Sequence, residues 1–542
     1  MNKLFVIAIG GTGMRCLESF VHLCAMGMLD DQTVHILTLD TDASNGNKRR
    51  TEDLIRLYNN IKKVGSSEEG GATANTFFSA KLNLYRFYTD YGQESYDSLW
   101  KKGAAQESLE ENKLLADLFL EPDTVQKFPL AHGYRAQTHL GSMLMYHAFC
   151  EAARAVKAGD DTPQSTSARE LDKFLEELSR AEAQARVFIL GSIFGGTGAS
   201  SIPILPKAIQ KFLEIKSDKK TSIKFSEAQF GATLLTEYFR FNVPDEKQKK
   251  EGEGKIIADS NFFALNSQAA LQFYQGDPAV RQSYKTLYMI GWPVDMLDFS
   301  RGQVALGTIT GGEKQKNDCH VAELVCAVAA LDFLTSESPR GVAEVEYRYK
   351  TVEFDGNSLN IYFRDLVRGT REIDFTHRFS GMLSLAFVIL RDNEAANSLS
   401  GENGVRSLIN RFKANNILDY DQITADQVKD LNDYFRRFAY SVDSNSPEWG
   451  WVYQLARSVS GQFLLEKDKL TPDLAAISKI DYGKLLPDKR NHWPRGFMSS
   501  DMNKVFAKTF EDEHKSVTQR YSNNKEKLIA LAFNTVMTLQ QK

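Results

Sequence analysis

The chain lacks the long hydrophobic runs and the charge excess that would assign it to a specialised class. No apolar run approaches the ~20 residues that a membrane-spanning helix needs, and the opening, MNKLFVIAIGG, has no signal-peptide cleavage pattern. Its 66 basic and 70 acidic side chains give a net charge of -4, which argues against a dedicated nucleic-acid binder. We therefore expect a cytoplasmic protein with no membrane insertion and no nucleic-acid partner.

Cysteine is also scarce, and its spacing excludes a disulfide framework or a structural metal site. The five cysteines are odd in number and lie in apolar helical patterns: Cys16, Cys24, Cys150, Cys319 and Cys326. No pair has metal-ligand spacing, so we expect reduced, buried thiols and no cysteine-bound metal. The length of 542 residues predicts two or three domains.

The most informative motif is VFILGSIFGGTGASS, residues 187–201. Val187 to Leu190 predict a buried parallel strand, and a helix begins near Ile202. A strand, a glycine turn and a helix N-terminus form an anion cradle, in which backbone N–H groups face phosphate oxygens. The spacing is close to a P-loop, but Thr197 stands near the position of the required Lys. The candidate binding residues are Gly195, Gly196, Thr197, Gly198 and Ala199.

A second glycine turn follows the first predicted strand, Leu4 to Ile9. A helical pattern from Met14 to about Met28 and a strand from Val34 to Leu39 come next. Such a β-turn-α-β unit opens a doubly wound nucleotide-binding sheet. The candidate binding residues are Gly10, Gly11, Thr12, Gly13, Asp40 and Asp42. Two alternatives remain, a dinucleotide-binding protein in which Asp40 holds a ribose and a plain structural turn.

The two glycine turns together resemble those of the tubulin/FtsZ superfamily, whose signature loop reads GGGTG before a small residue. In that family the second loop reads Asn-Thr-Asp, so Asp40 replaces the Asn. The resemblance implies an α/β fold with a doubly wound, mostly parallel sheet, a long central core helix and a second α+β domain. The implied domains are residues 1–316, the core helix 317–336 and residues 337–542. GTP or GDP, with Mg2+, is the implied ligand.

Two further segments resemble the family in the same order. LAHGYRAQTHLGSMLMYHA, residues 130–148, matches the third loop, where Gly133 and Arg135 would meet a terminal phosphate. A surface turn with a solvated Arg is the alternative. FGATLLTEYFRFN, residues 230–242, resembles VVTxPFxFE; Thr236 matches, and Tyr238 replaces the Pro.

The long apolar helical pattern Asp318 to Leu334 resembles the family's core helix. Asn317, at its start, is the candidate for the family's guanine contact, and a plain helix cap is the alternative. LNIYFRDLV, residues 359–367, resembles the catalytic loop NxDFAD, with Asn360 and Asp365 as matches and Tyr362 in place of the first acid. A strand with an incidental Asp is the other interpretation. Residues 340–355 alternate as in a β-hairpin.

The resemblance implies a GTP-binding protein that assembles head to tail into filaments, with an acidic loop of the next subunit completing GTP hydrolysis. A non-hydrolysing, nucleotide-gated scaffold that acts through an unidentified partner protein is the alternative. A dinucleotide oxidoreductase is disfavoured, because none of the nine His lies beside an obvious donor set. The C-terminal third shows amphipathic helical patterns at residues 426–440 and 512–539.

Overall fold

The computed structural model describes the N-terminal two thirds of the chain and several C-terminal helices. The described residues are 3–42, 44–65, 76–89, 91, 94–103, 109–127, 130, 134, 136–160, 163–217, 228–240, 260–293, 313, 315–336, 345–350, 361–362, 366–367, 374–383, 385–386, 425–439, 450–458, 463–464, 508–514 and 524–541. No helix within these ranges is both long enough and apolar enough to cross a membrane.

A seven-stranded parallel sheet forms the centre of the fold, in the order β3-β2-β1-β4-β5-β6-β7. The strands are β1 (Lys3–Ile9), β2 (Thr33–Asp40), β3 (Lys81–Tyr88), β4 (Ala185–Leu190), β5 (Gln229–Leu235), β6 (Tyr284–Ile290) and β7 (Glu346–Lys350). Val6 of β1 pairs with Ile36 on one side and Phe188 on the other. The strand order therefore reverses between β1 and β4, which confirms the predicted doubly wound α/β fold.

Helices cover both faces of this sheet. They are α1 (Gly10–Ala25), α2 (Gly46–Gly65), α3 (Tyr96–Gly103), α4 (Leu109–Phe119), α5 (Thr138–Ala158), α6 (Pro163–Ala181), α7 (Thr197–Ser201), α8 (Leu205–Ser217), α9 (Phe263–Gly276), α10 (Pro278–Ser283), α11 (Val321–Thr335), α12 (Ala425–Phe438), α13 (Trp451–Arg457) and α14 (Asn524–Gln541). Residues 374–383 and 508–514 are also helical. A separate parallel pair joins β8 (Ile361–Tyr362) to β9 (Phe463–Leu464).

The alternation along β1 shows why an unbroken apolar run forms the central strand. Leu4 and Val6 belong to the hydrophobic core under α1, α2 and α11, whereas Phe5 and Ile7 belong to the core under α5, α6 and α8. A parallel strand that is buried on both faces has no polar side to show in its sequence.

Helix α11 is buried along almost its whole length and packs against α1, β4 and β5. It begins with a capping box in which His320 Nδ1 accepts from the Ala322 N–H at 3.1 Å, and the Glu323 carboxylate accepts from the His320 N–H at 2.9 Å. The cap is thus His320, and the alternative that Asn317 caps this helix is wrong.

The described C-terminal helices pack on the same face of the sheet as α1. The Trp451 indole N–H donates to Ser19 Oγ at 3.0 Å, and Ser458 Oγ accepts from the Val321 N–H at 2.9 Å. Their apolar side chains join the core around α1 and α11. Helix α12 confirms the amphipathic pattern at 426–440. The domain boundary after residue 336 stays a prediction.

Strand β7 lies in the described part of the segment 340–355, for which a hairpin is expected, and residues 340–344 and 351–355 lie outside the described residues. Its described residues form one strand that pairs in parallel with β6, with Leu287 opposite Tyr347. The alternating pattern is that of an edge strand, since Tyr347 and Tyr349 are exposed. The prediction that the cysteines are buried and unpaired is confirmed, because all five are free and buried.

Candidate functional site

Two glycine loops meet at the carboxyl edge of the sheet, where the strand order reverses. The first follows β1 and the second follows β4. A Cβ atom built on Gly10 would lie 3.2 Å from Cβ of Thr197, so the loops are in direct contact. The crevice outside such a reversal point is where open α/β sheets bind ligands. The fold therefore brings together the two motifs that lie far apart in the sequence.

The first loop has no linker between its strand and its helix. Helix α1 starts at Gly10, which takes a φ of 65°, a left-handed conformation that favours glycine. Ile9 provides no side-chain cap for the first turn. A Cβ at Gly13 would lie 2.5 Å from the Leu190 carbonyl oxygen, so this glycine permits close contact between α1 and β4. Gly11 and Thr12 are half-buried at the crevice.

The second loop has an open part and a closed part. Gly195, Gly196 and Thr197 are half-buried, and a Cβ at Gly195 would meet only Ser192 Oγ, at 3.6 Å. A Cβ at Gly198 would lie 2.4 Å from the Ser192 carbonyl oxygen. Gly198 is therefore required by the loop itself. A side chain at this position would disturb the loop, and the candidate role of Gly198 in phosphate binding stays a prediction.

Ala199 and Thr236 are held by contacts within the fold. Ala199 is buried, and its carbonyl accepts from the Tyr274 hydroxyl at 2.7 Å. Thr236 donates to the Ile290 carbonyl through its N–H at 3.0 Å and its hydroxyl at 3.4 Å. Both residues thus support the loops by joining them to neighbouring elements. Four predicted site residues, Gly133, Arg135, Asn360 and Asp365, lie outside the described residues.

A buried carboxyl group ends β2 beside the first loop. Asp40 Oδ1 accepts from the N–H groups of Thr41 at 2.8 Å and Asp42 at 3.3 Å. Its Oδ2 has no hydrogen-bond partner within the described part of the chain, and neither has Thr41 Oγ1. Burial raises the pKa of Asp40 to about 7, although nearby Lys48 opposes the shift. Burial thus favours the protonated form of this carboxyl group.

Asp42 is already engaged in a local turn. Its Oδ1 accepts from the Ser44 N–H at 3.0 Å and from the Ser44 hydroxyl at 2.6 Å. This carboxylate shapes the connection between β2 and α2. Within the described ranges, no group of three or more His, Cys, Asp or Glu side chains could hold a metal ion by itself.

Carboxamide side chains join the start of α2 to residues 315–317. Asn45 caps α2, since its Oδ1 accepts from the N–H groups of Asn47 at 2.9 Å and Lys48 at 3.2 Å. Its Nδ2 donates to Gln315 Oε1 at 2.8 Å, and Asn47 Oδ1 accepts from the Asn317 N–H at 3.0 Å. Sequence reasoning missed Asn45, Asn47 and Gln315. The polar run SNGN, residues 44–47 at the start of α2, is the only sequence signal for the two asparagines, and Gln315 has no such signal.

Asn317 lies four residues before α11 and close to the first loop. It is buried, its carbonyl accepts from Arg50 Nη1 at 2.9 Å, and its Nδ2 is unpartnered among the described residues. A buried amide without a partner is costly unless a ligand supplies one. The position is compatible with ligand contact, and the guanine contact itself stays a prediction.

A buried ion pair ties the first loop to the core helix. Arg15 Nε donates to Glu323 Oε1 at 2.5 Å, and the Tyr238 hydroxyl donates to the same oxygen at 2.5 Å. Arg15 Nη2 contacts Thr12 Oγ1 at 3.5 Å. Arg15 and Glu323 are no more than 1% exposed. Both lie within apolar helical patterns, so the pair could not be predicted from the sequence.

Comparisons with known proteins add no family assignment. No protein-family model matches the chain, and no curated protein matches it significantly. The motifs and the geometry of the crevice therefore form the basis for a functional argument.

Proposed function

We propose that this chain is a tubulin/FtsZ-like GTP-binding protein whose phosphate site is the crevice between the two glycine loops. The observation that carries the proposal is the contact between Gly10 and Thr197 at the reversal point of the sheet. Two glycine turns that face one crevice offer backbone N–H groups from both sides of a phosphate chain. Neither loop contains a Lys, so hydroxyl groups such as that of Thr197 take its place.

Two groups at the end of β2 fit a magnesium ion that accompanies the phosphates. Asp40 Oδ2 and Thr41 Oγ1 are unpartnered oxygen atoms within the described part of the chain. Magnesium binds oxygen ligands and is commonly held by one or two carboxylates together with substrate phosphates. When bound, it would supply charge neutralisation at the phosphates, and Asp40 and Thr41 would hold it there.

A bound dinucleotide is the second candidate, and Asp40 is the observation that favours it. The order β3-β2-β1-β4-β5-β6 is also that of dinucleotide-binding sheets, in which an acid after the second strand holds the ribose. The two candidates differ in the ligand, so nucleotide binding separates them directly.

Calorimetric titration with GTP, ATP and NAD tests the phosphate site. We expect the protein to bind GTP, and Gly195→Asp to abolish this binding, because a carboxylate in the crevice repels phosphate while the loop has room for its Cβ. Gly276→Asp is the matched control, since a Cβ there meets nothing within 4 Å. Tight NAD binding with no GTP binding would establish the dinucleotide candidate instead.

Self-assembly and hydrolysis extend the proposal. Head-to-tail contacts between copies build open filaments when the rotation between successive copies does not close a ring, and this is the assembly that we propose. In this arrangement Asn360 and Asp365 of one subunit complete the nucleotide site of the next, where a carboxylate orients the attacking water. Tyr362 replaces one acid of the family's loop, and this favours slow turnover or a scaffold that binds GTP without hydrolysing it.

Light scattering recorded together with phosphate release tests assembly and turnover. GTP should increase scattering, and Asp365→Ala should keep GTP binding while lowering the rate of release on the order of 100-fold. Mixing Asp365→Ala with Gly195→Asp should restore part of the release, since one variant brings the nucleotide and the other brings the acid. Scattering without phosphate release in the wild type would identify the scaffold, and an unchanged rate in Asp365→Ala would exclude this acid.

A further inference from the structure

Three carboxamide nitrogens converge on one glycine of the first loop. A Cβ built on Gly11 would lie 3.4 Å from Asn45 Nδ2, 3.4 Å from Gln315 Nε2 and 3.5 Å from Asn47 Nδ2. Asn47 is fully buried, and its Nδ2 has no partner in the part of the chain that the structure describes. We call Asn45, Asn47 and Gln315 the amide cluster. Its members all present nitrogen, a hydrogen-bond donor, to the same point.

Backbone donors fix the orientation of each amide. The Asn45 and Asn47 side chains each face backbone N–H groups, which can only donate, so the facing atom must be the amide oxygen. Asn45 Nδ2 is then a donor to Gln315, and the Gln315 atom that meets it must also be oxygen. The oxygens of the amide cluster are thus used inside the protein. The amino groups of Asn47 and Gln315, and the second N–H of the Asn45 amide, remain for a ligand.

The segment that carries Gln315 is firmly attached to α2. A Cβ at Gly46 would lie 2.4 Å from the Glu313 carbonyl oxygen, so only glycine allows this approach. Arg50 donates to the Asn317 carbonyl, and Arg49 pairs with Glu313 at 2.9 Å. The amide cluster is therefore a built feature of the fold, and the buried Asn47 amino group is aimed at the first turn of α1.

The amide cluster offers only hydrogen-bond donors, and it lies at the N-terminus of α1, a 16-residue helix. A ligand group that fits this place carries only acceptors and a negative charge. A phosphoryl group meets both requirements. A base edge is less suitable, because Gly11 directly follows Gly10, which touches Thr197 of the phosphate crevice. The ligand group at Gly11 therefore neighbours the phosphates, whereas a base is separated from them by the ribose.

We propose that the amide cluster binds the terminal phosphoryl group of a nucleoside triphosphate and so distinguishes it from the diphosphate. This inference rests on the proposed function. It assigns to Asn47 and Gln315 a role in sensing the nucleotide state. A terminal phosphate would bridge the start of α2 and the segment 315–317, which leads into the cap of α11.

Two variants with one control test the amide cluster by calorimetric titration with a slowly hydrolysed GTP analogue and with GDP. Gln315→Glu keeps the oxygen that accepts from Asn45 and replaces the amino group by a charged oxygen. Gly11→Ala places a methyl group in the space in front of the three nitrogens, at van der Waals distance from each of them. The fold should accept this change, because Gly11 does not have a left-handed backbone conformation. Gln275→Glu, at an exposed position of α9, makes the same charge change outside the amide cluster.

The wild type should bind the GTP analogue at least about tenfold more tightly than GDP, and both variants should lose most of that difference. The control should keep it, and the ratio of GTP to ATP affinity should stay constant in Gln315→Glu. Equal affinity of the wild type for the GTP analogue and GDP would overturn the inference but leave the proposed function standing. A changed ratio of GTP to ATP affinity would overturn it in favour of base recognition. If the wild type binds no nucleotide, the proposed function fails and the inference with it.

Discussion

The two glycine loops share four letters, GGTG, and in both the last glycine serves the fold. A Cβ at Gly13 would collide with the Leu190 carbonyl at 2.5 Å, and a Cβ at Gly198 would collide with the Ser192 carbonyl at 2.4 Å. The earlier Gly11 and Gly195 would meet only ordinary contacts. One motif therefore combines a glycine that closes the loop and a glycine that leaves room for a ligand.

The two loops differ in the helices that follow them and in the contacts that hold those helices. The first opens a 16-residue helix whose second turn carries a buried ion pair to α11. The second opens the five-residue helix α7, and the next helix, α8, starts only at Leu205. The first loop is thus anchored to α11 by charge, whereas the second is held by hydrogen bonds to neutral groups, such as the one from the Tyr274 hydroxyl to the Ala199 carbonyl. We therefore expect the first loop to depend more strongly on a single contact than the second.

Breaking the ion pair behind the first loop should have the largest effect. Glu323→Ala leaves the Arg15 guanidinium buried without its counter-charge and takes the acceptor from the Tyr238 hydroxyl. We expect a loss of about 3–5 kcal/mol in the free energy of unfolding, measured by urea titration. Asp123→Ala, which breaks the exposed pair with Lys127, is the control and should leave stability unchanged.

The double variant Arg15→Met, Glu323→Gln separates the charge from the packing. It removes both charges, so it should be more stable than Glu323→Ala alone. Were Glu323→Ala as stable as the wild type, the first loop would have no electrostatic anchor and the contrast with the second loop would disappear.

The second test concerns Gly13 and Gly198, the last glycine of each loop. The two loops are alike at these positions, because each glycine lies close to a backbone carbonyl. Gly13→Ala and Gly198→Ala each place a Cβ against a backbone carbonyl that cannot rotate away. Each should lower the free energy of unfolding by at least about 2 kcal/mol, as overpacked sites do. Gly276→Ala should have little effect, since nothing lies within 4 Å of its Cβ. If Gly198→Ala is as stable as the wild type, the fold does not require this glycine, and ligand binding is the remaining reason for its presence.

Much of the sheet could be predicted from the sequence because its strands are short apolar runs bounded by glycine or acid. The predicted strand Leu4 to Ile9 differs from β1 by one residue, and Val34 to Leu39 differs from β2 by one residue at each end. Helix starts were less accurate. Helix α1 begins at Gly10 because the glycines themselves form its first turn, a geometry that helix propensity disfavours.

The candidate site was predictable only where a motif stood on contiguous residues. The loops at 10–13 and 195–198 were found in this way. The amide cluster could not be found in this way, because Asn47 and Gln315 are 268 residues apart in the sequence. Only the fold brings their side chains together beside Gly11. Asn317 is an intermediate case. The sequence predicts it at the start of the core helix, whereas it lies four residues before α11, and its contact with guanine stays a prediction.

Asp40 offers a test of the acid beside the first loop. Its pKa is about 7 in the folded protein and about 4 in an unfolded chain, so the native state holds the proton more tightly. Above pH 4 the unfolded state ionises first, and the penalty for burying this carboxyl grows until pH passes about 7. Asp40→Asn keeps the oxygen that accepts from Thr41 and Asp42 and removes the penalty.

The stability advantage of Asp40→Asn over the wild type should therefore increase between pH 5 and pH 8 by on the order of 2 kcal/mol. Urea titrations at the two pH values measure it, with Asp42→Asn as the matched control in the same turn. An advantage that does not change with pH would show that Asp40 ionises as an ordinary exposed acid, and its suggested contact with magnesium or ribose would need another basis.

The smallest effect on stability should come from Gly195→Ala, and this variant separates folding from binding most cleanly. Its backbone has no positive φ, and its Cβ would have only Ser192 Oγ near it, so the free energy of unfolding should change by less than about 0.5 kcal/mol. The added methyl group nevertheless projects from the half-buried part of the second loop, where we place phosphate oxygens. Affinity for GTP should fall about tenfold, which corresponds to about 1.4 kcal/mol. Thermal unfolding and calorimetric titration on the same sample measure the two quantities. Unchanged affinity would mean that phosphate, if bound, is held by the first loop alone, and the two loops would then differ in function as they do in anchoring.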